Sequence, residues 1–124
     1  MARLSRSLGS VLALLLASAA LSSCGVGAAV NEARASCVRV ERALKLRAQS
    51  QAPGLSQAQR SSLQADALSE LLKATPAAAA ATSIDGSWNP LMTTINEAER
   101  VPLANLVPSL TRLCQVANSS TPYL

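Results

Sequence analysis

Apolar residues recur every three or four positions along most of this 124-residue chain, and this helical period constrains the fold more than any other feature. It is clear from about Asn31 to Gln49, where one stripe contains Val30, Ala33, Cys37, Val40, Leu44 and Arg47. No stretch alternates apolar and polar residues as a strand does, and β-branched and aromatic residues are sparse. The sequence therefore predicts an all-α fold.

Turn and capping residues divide the periodic pattern into helices. Pro53-Gly54 ends the first helix, and Ser56 followed three residues later by Gln59 has the form of a capping box that begins the second. The second helix ends near Thr75-Pro76, where Thr suits the N-cap and Pro the first position of a third helix.

The third helix contains conflicting signals. Apolar residues keep a four-three spacing from Ala77 to Ala98, which favours one continuous helix. Asp85-Gly86 and Asn89-Pro90 oppose it, because a proline inside a helix costs about 3 kcal/mol. We expect a kink or a one-turn break between Gly86 and Pro90, with Asn89 capping the second half.

A fourth helix follows Val101-Pro102 and has apolar residues at three-four spacing as far as Ala117. With Asn105 as its N-cap, Pro108 falls in the first turn, where a missing N–H donor costs little. Four helices with short connections pack most simply as a small up-down four-helix bundle. We predict this bundle over residues 31–118 and a polar tail over residues 119–124.

The first 23 residues have the parts of a secretory signal. Arg3 and Arg6 precede an apolar stretch over residues 11–21, and small residues follow it. The stretch is about half of the roughly 20 residues that span a bilayer, so we expect a cleaved signal helix over residues 1–23. An alternative cleavage site follows Ala17-Ser18-Ala19, which has the small-x-small form.

Leu21-Ser22-Ser23 directly before Cys24 resembles the lipobox of bacterial lipoproteins. The resemblance implies cleavage before Cys24 and a diacylglyceryl thioether on its sulfur. Residues 24–30, which are small and uncharged, then form a short tether. The implied partner is membrane lipid through the acylated Cys24, and the implied location is the extracytoplasmic face of the cell membrane.

Three cysteines in an exported chain leave one unpaired, and lipidation of Cys24 would account for it. Cys37 and Cys114 are then candidates for a disulfide, because they lie at matching heights if the first and last helices are antiparallel neighbours. Two buried free thiols are the alternative. The chain contains no histidine, and two thiolates alone make a poor metal site, so we expect neither a metal nor another cofactor.

Charge and residue types argue against nucleic-acid binding and against catalysis. Two of the eleven Lys and Arg but none of the seven acids lie in residues 1–23, so the net charge falls from +4 to +2 after cleavage. Nucleic-acid binding needs a concentrated basic face with stacking aromatics, and we expect no such partner. Without histidine or a nucleophile motif the chain is predicted not to be an enzyme. Asp66 and Glu70 could form an acid pair, with a solvated helix face as the alternative.

Two further features have a functional and a structural interpretation. The basic residues of the first helix could attract anionic headgroups, at about 1 kcal/mol for each cation near the surface. Alternatively they form a solvated face on which Glu41 pairs with Lys45. Trp88 is either the largest core residue or a platform for a ligand. The basic residues are Arg34, Arg39, Arg42, Lys45 and Arg47.

Short segments at residues 85–88, 91–94 and 100–102, flanked by Cys37 and Cys114, are similar to small alanine-rich helical lipoproteins of actinobacteria. The segments read Asp-Gly-Ser-Trp, Leu-Met-Thr-Thr and Arg-Val-Pro. That family implies no established activity. We therefore expect a non-catalytic interaction or structural module, with another envelope protein as a candidate partner. The alternative function is a carrier of a small apolar ligand or lipid between the helices.

Overall fold

A computed structural model describes residues 25–124 in full, and residues 8–24 only as backbone of the first helix. The helices are α1 (Leu8–Gln49), α2 (Gln57–Leu72), α3 (Thr75–Ile84), a short 3₁₀ helix η1 (Gly86–Trp88), α4 (Asn89–Glu97) and α5 (Leu103–Asn118). No strand occurs between residues 8 and 124, which confirms the all-α prediction. The predicted signal helix over residues 1–23 lies outside the residues described in full.

The folded domain begins earlier in the chain than predicted. Residues 25–30, predicted as a tether, are helical, and Ala29 and Val30 are 0% and 8% exposed. Gly25 and Gly27 each cost about 1 kcal/mol relative to alanine in a helix. The burial of Ala29 and Val30 against the core offsets that cost, so the helix continues through both glycines.

α2 begins with the predicted capping box and runs antiparallel to α1. The Gln59 backbone N–H donates to Ser56 Oγ at 3.1 Å, and the Ser56 N–H donates to Gln59 Oε1 at 2.8 Å. Arg60 Nη1 donates to the Ser50 carbonyl at 2.7 Å, and Ser36 Oγ donates to the Ala74 carbonyl at 3.1 Å. The start of α2 thus lies beside the end of α1, and the segment just after α2 lies beside an earlier part of α1, so the two helices are antiparallel.

α3 continues along α1 instead of returning along α2. Both helices pack on α1 but make little contact with one another, so the chain does not double back at Lys73-Ala74. This departs from the simple up-down order, in which each helix packs on the one before it. The buried Ala78 and Ala81 of α3 have small side chains that allow a close approach to α1.

The helical path is interrupted between α3 and α4, near Gly86 and Pro90, as predicted. The Asp85 carboxylate accepts a hydrogen bond from the Ser87 N–H at 3.0 Å and caps η1. Asn89 is already the first residue of α4 and makes no capping hydrogen bond, so its predicted role is wrong. Pro90 lies in the first turn of α4, where its missing N–H donor costs little.

Two other predicted helix starts are also wrong. Thr75 is the first residue of α3 and not its N-cap. α5 begins at Leu103, because the Pro102 carbonyl already accepts a hydrogen bond from the Asn105 N–H at 2.9 Å. Pro108 therefore lies inside α5, beyond the first turn where it was expected.

One apolar core joins all the helices, and Trp88 is its largest fully buried side chain. Ser36 and Ser50 are the buried polar residues within the described range, and both hydroxyls donate to backbone carbonyls. Across residues 25–124 no buried side-chain nitrogen or oxygen lacks a hydrogen-bond partner. The core is thus apolar apart from two satisfied hydroxyl groups.

Candidate functional site

A disulfide joins α1 to α5 inside the core. Cys37 and Cys114 are bonded, their Cα atoms are 5.4 Å apart, and they are 0% and 4% exposed. The two sulfur atoms lie at bonding distance, as the predicted pairing requires, and this geometry opposes the alternative of two free thiols. In the chain-entropy model a loop of this length contributes about 4.5 kcal/mol of stability.

Polar contacts beside the disulfide fasten the end of α5 to α1. Arg34 Nε donates to the Ala117 carbonyl at 2.8 Å, and its Nη2 donates to the Ser119 carbonyl at 3.2 Å. These carbonyls lie at the helix end, where intrahelical partners are missing. Asn118 Nδ2 donates to Glu41 Oε1 at 3.0 Å, so Glu41 contacts α5 and not Lys45 as predicted.

The predicted lipidation site, Cys24, lies outside the residues described in full, and its acylation stays a prediction. Residues 25–28, directly after it, are helical and partly or fully exposed. The next residue, Ala29, is completely buried. Only four residues therefore separate Cys24 from the folded core.

Trp88 is a core residue. Its side chain is 1% exposed and belongs to the apolar cluster of α1, α3, α4 and α5. Trp88 does not line the cleft beside Arg47 or the clefts at Leu72, at Thr111 and at Leu46. A ligand could stack on the indole ring only after the core opened, so the ring cannot serve as a surface platform in this fold.

Glu70 forms ion pairs and does not form an acid pair with Asp66. Its carboxylate accepts hydrogen bonds from Lys73 Nζ at 2.8 Å and from Arg39 Nη1 at 3.2 Å. The hydrogen bond from Lys73, followed by that from Arg39, holds the pKa of Glu70 below its usual value. Asp66 is exposed, and residues 25–124 offer it no ion-pair partner.

The basic residues of α1 divide into two groups. Arg34 and Arg39 hold other helices, through the end of α5 and through Glu70. Arg42 and Lys45 are exposed and form no ion pair with any residue from 25 to 124. Arg47 is half-buried and borders a cleft. The predicted basic face is thus partly used for packing.

The cleft beside Arg47 has a volume of about 390 Å³, which lies at the small end of the range for ligand sites. It is formed by the last turns of α1, the middle of α2 and the connection from α4 to α5. Its polar rim consists of Arg47, Gln51 and Gln64, and the Arg47 guanidinium donates no hydrogen bond to residues 25–124. Its apolar lining is Ala67, Leu68, Ala98, Val101, Pro102, Leu103 and Ala104.

The sequence pattern did not identify this cleft, because its lining comes from three segments that meet only in the fold. One signal was present: Arg47 occupies a position on the otherwise apolar stripe of α1. A cation on a buried stripe indicates a place where the core opens to solvent, since a buried charge needs a partner or water.

Neither a metal cluster nor a membrane-spanning helix occurs in the described range. Residues 25–124 contain no group of three or more Cys, Asp or Glu side chains that could hold a metal ion. No helix in the described part of the chain is both long enough and apolar enough to cross a membrane.

Comparison with known proteins yields no relative. No protein-family model matches the chain, and no curated protein or solved structure shows significant similarity to it. A function for this protein therefore has to be inferred from its residues and from its geometry.

Proposed function

We propose that this protein is a lipid-anchored module on the extracytoplasmic face of the cell membrane, with a non-catalytic interaction or structural role. One observation carries the proposal: Cys37 bonds to Cys114, so the third cysteine of the sequence, Cys24, is not needed for the disulfide of the described domain. That cysteine directly follows Leu21-Ser22-Ser23, the segment that resembles a lipobox.

The disulfide also supports the location. Structural disulfides persist in oxidising compartments outside the cytoplasm and are rare inside it. A small domain buries a limited core, so a covalent link between its first and last helices is a common means of stabilisation. The resemblance of short segments to small actinobacterial lipoproteins implies the same location, and membrane lipid and another envelope protein are the partners that we propose.

Intact mass of the protein extracted from membranes tests the proposal. We expect the mass of residues 24–124 plus a diacylglyceryl group, and a gain of two hydrogen atoms after reduction. A Cys24→Ser variant is the control, and it should retain the leader, lose the acyl group and still gain two hydrogen atoms. A wild-type protein without acyl mass, or one cleaved after Ala19, would overturn the lipid anchor.

The cleft beside Arg47 favours a second candidate function, the carrier. Its lining is apolar and its rim provides one guanidinium and two amides. This combination suits a small amphipathic ligand whose acidic group contacts Arg47 while its apolar part covers Leu68 and Leu103. The carrier proposal therefore concerns the cleft beside Arg47 and not the buried Trp88.

Binding of an anionic naphthalene sulfonate dye measures this second function. We expect dye fluorescence to rise with the wild-type protein and to fall clearly with Arg47→Gln. Arg42→Gln is the matched control, because Arg42 lies on the same helix but outside the cleft. Equal dye binding by all three proteins would remove the carrier function and leave the anchored module untouched.

A further inference from the structure

Two exposed aliphatic side chains, Val26 and Ile84, lie at the same end of the bundle. They are 47% and 45% exposed. The hydrogen bond from Ser36 to the Ala74 carbonyl places Ser36 and Ala74 at the same height along α1. Ten residues of helix rise about 15 Å, and this count separates Ser36 from Val26 as well as Ala74 from Ile84. Because α3 continues along α1 without doubling back, Ile84 lies close to the height of Val26.

This part of the molecule is almost free of charge. We define the proximal end as residues 25–31 of α1 together with residues 79–88 of α3 and η1. Its 17 residues include one charged side chain, Asp85, whose carboxylate caps the Ser87 N–H. The remaining residues are small, aliphatic or hydroxyl-bearing, apart from Asn31 and the buried Trp88. Such a surface loses little hydration when it meets an apolar or interfacial environment.

The chain between Cys24 and the core is too short to hold the proximal end away from an anchored lipid. Ala29 is completely buried, and five residue steps separate it from Cys24. Those steps span about 7.5 Å as helix and at most about 17 Å when extended. An acyl group on Cys24 therefore keeps the proximal end within that distance of the headgroups.

We infer that the proximal end is a membrane-contact surface: Val26 and Ile84 enter the lipid interface, and α1 stands upright with its last turns farthest from the bilayer. This inference depends on the proposed lipid anchor. It assigns a second contact with lipid, made by the folded domain and separate from the acyl group on Cys24.

The upright orientation is opposed to one in which the basic face of α1 lies on the lipid. Arg42 is 18 residues from Cys24, which is about 27 Å along a helix and well beyond the Debye length of about 8 Å. In the upright orientation Arg42 and Lys45 gain nothing from anionic headgroups. In a flat orientation they would contact those headgroups, and binding would depend on anionic lipid.

Probe accessibility in reconstituted vesicles tests the inference. The acylated protein carries one environment-sensitive fluorophore on an introduced cysteine, at Ile84→Cys or at Val38→Cys. Val38 is the matched control, because it is on α1, 49% exposed and twelve residues beyond Val26. The vesicles contain phosphatidylcholine, with or without phosphatidylglycerol, and a lipid that carries a quencher near its headgroup.

We expect the fluorophore at position 84 to shift to shorter wavelength and to lose intensity through quenching. The fluorophore at position 38 should behave as it does in the acyl-free Cys24→Ser protein. Phosphatidylglycerol should change neither result. Circular dichroism confirms that each labelled protein keeps its helices.

Each contrary outcome has its own meaning. If mass spectrometry shows the acyl group but position 84 is as accessible to water as position 38, the contact surface is wrong and the anchor stands. If quenching appears at position 38 and requires phosphatidylglycerol, the flat orientation replaces the upright one. If the native protein carries no acyl group, the proposed function fails, and the contact surface that depends on the anchor fails with it.

Discussion

The two ends of the bundle are built from different side chains on the same long helix. The proximal end has one charged residue, whereas the distal end, residues 42–70 and 97–104, has nine. At the proximal end α1 and α3 contribute small buried residues such as Ala29 and Ala81 to the core. At the distal end longer side chains cover the helices, and polar atoms of Arg60 and Ser50 join α2 to the end of α1.

Side-chain size accounts for the different surfaces that the two ends present. Alanines let two backbones approach closely, and they leave few long side chains to reach into solvent. Longer residues at the distal end, such as Gln64, Leu68 and Leu103, line the cleft beside Arg47. The same helix therefore supports a smooth, weakly charged end and an open, charged end.

The largest expected effect is loss of the disulfide, which lies between the two ends. A Cys37→Ala, Cys114→Ala double variant should lose about 4.5 kcal/mol of unfolding free energy, because the unfolded chain regains its loop entropy. Urea denaturation of the two proteins measures this loss of unfolding free energy. Cys24→Ser should leave the unfolding free energy unchanged. A double variant as stable as the wild type would show that the helices hold without the covalent link.

Overpacking the core just beyond the proximal end, at Ala33, should have the next largest effect. Ala33 is completely buried, and Ala33→Leu should destabilise the fold by about 1–3 kcal/mol because α1 and its neighbours must separate. Ala35→Leu, an exposed alanine on the same helix, should change stability by less than about 0.5 kcal/mol. Equal midpoints of thermal unfolding for these two variants would contradict the close packing around Ala33.

The hydrogen bond from Ser36 to the Ala74 carbonyl, which lies between the two ends, should contribute less to the free energy of unfolding. Ser36→Ala removes the donor to the Ala74 carbonyl, and we expect a loss of about 1 kcal/mol. Ser62→Ala corrects for helix propensity, since Ser62 is an exposed helical residue whose hydroxyl makes no hydrogen bond with residues 25–124. Chemical denaturation of the two variants gives the difference, and a difference of zero would remove the role of this bond.

The smallest effect concerns the ion pairs of Glu70 with Lys73 and Arg39, and it depends on pH. The pKa of Glu70 is lowered in the folded protein by Lys73 and then by Arg39, so its carboxylate stabilises the fold above the unfolded-state pKa. That contribution disappears as the pH falls through the lower folded-state pKa. Glu70→Gln should therefore lower the melting temperature slightly at neutral pH, and the difference from wild type should vanish in acid.

Asp66→Asn is the control for this pH dependence, because Asp66 is on the same helix and exposed. It should show no comparable difference at neutral pH. A Glu70→Gln variant with the melting temperature of the wild type at every pH would mean that the ion pairs contribute nothing measurable, as is common for surface pairs.

Local signals in the chain predicted some elements well and others poorly. The capping box at Ser56 and the break near Pro90 follow from short-range chemistry, and both appear in the fold. The start of α5 did not follow, because Asn105 has a side chain that favours an N-cap, whereas the fold begins the helix three residues earlier at the Pro102 carbonyl. The cleft beside Arg47 was not predictable, because its lining depends on how α2 and the α4–α5 connection meet α1.

Periodicity was enough to predict the helical class and most of the core positions, because these depend on local spacing. The pairing of Cys37 with Cys114 needed two further expectations, the lipobox resemblance at Cys24 and an antiparallel arrangement of the first and last helices. The course of α3 along α1 beyond the end of α2, and the shared end of Val26 and Ile84, emerged only from the packed fold. Packing between helices depends on how closely their surfaces approach, and residues far apart in the chain set that distance together.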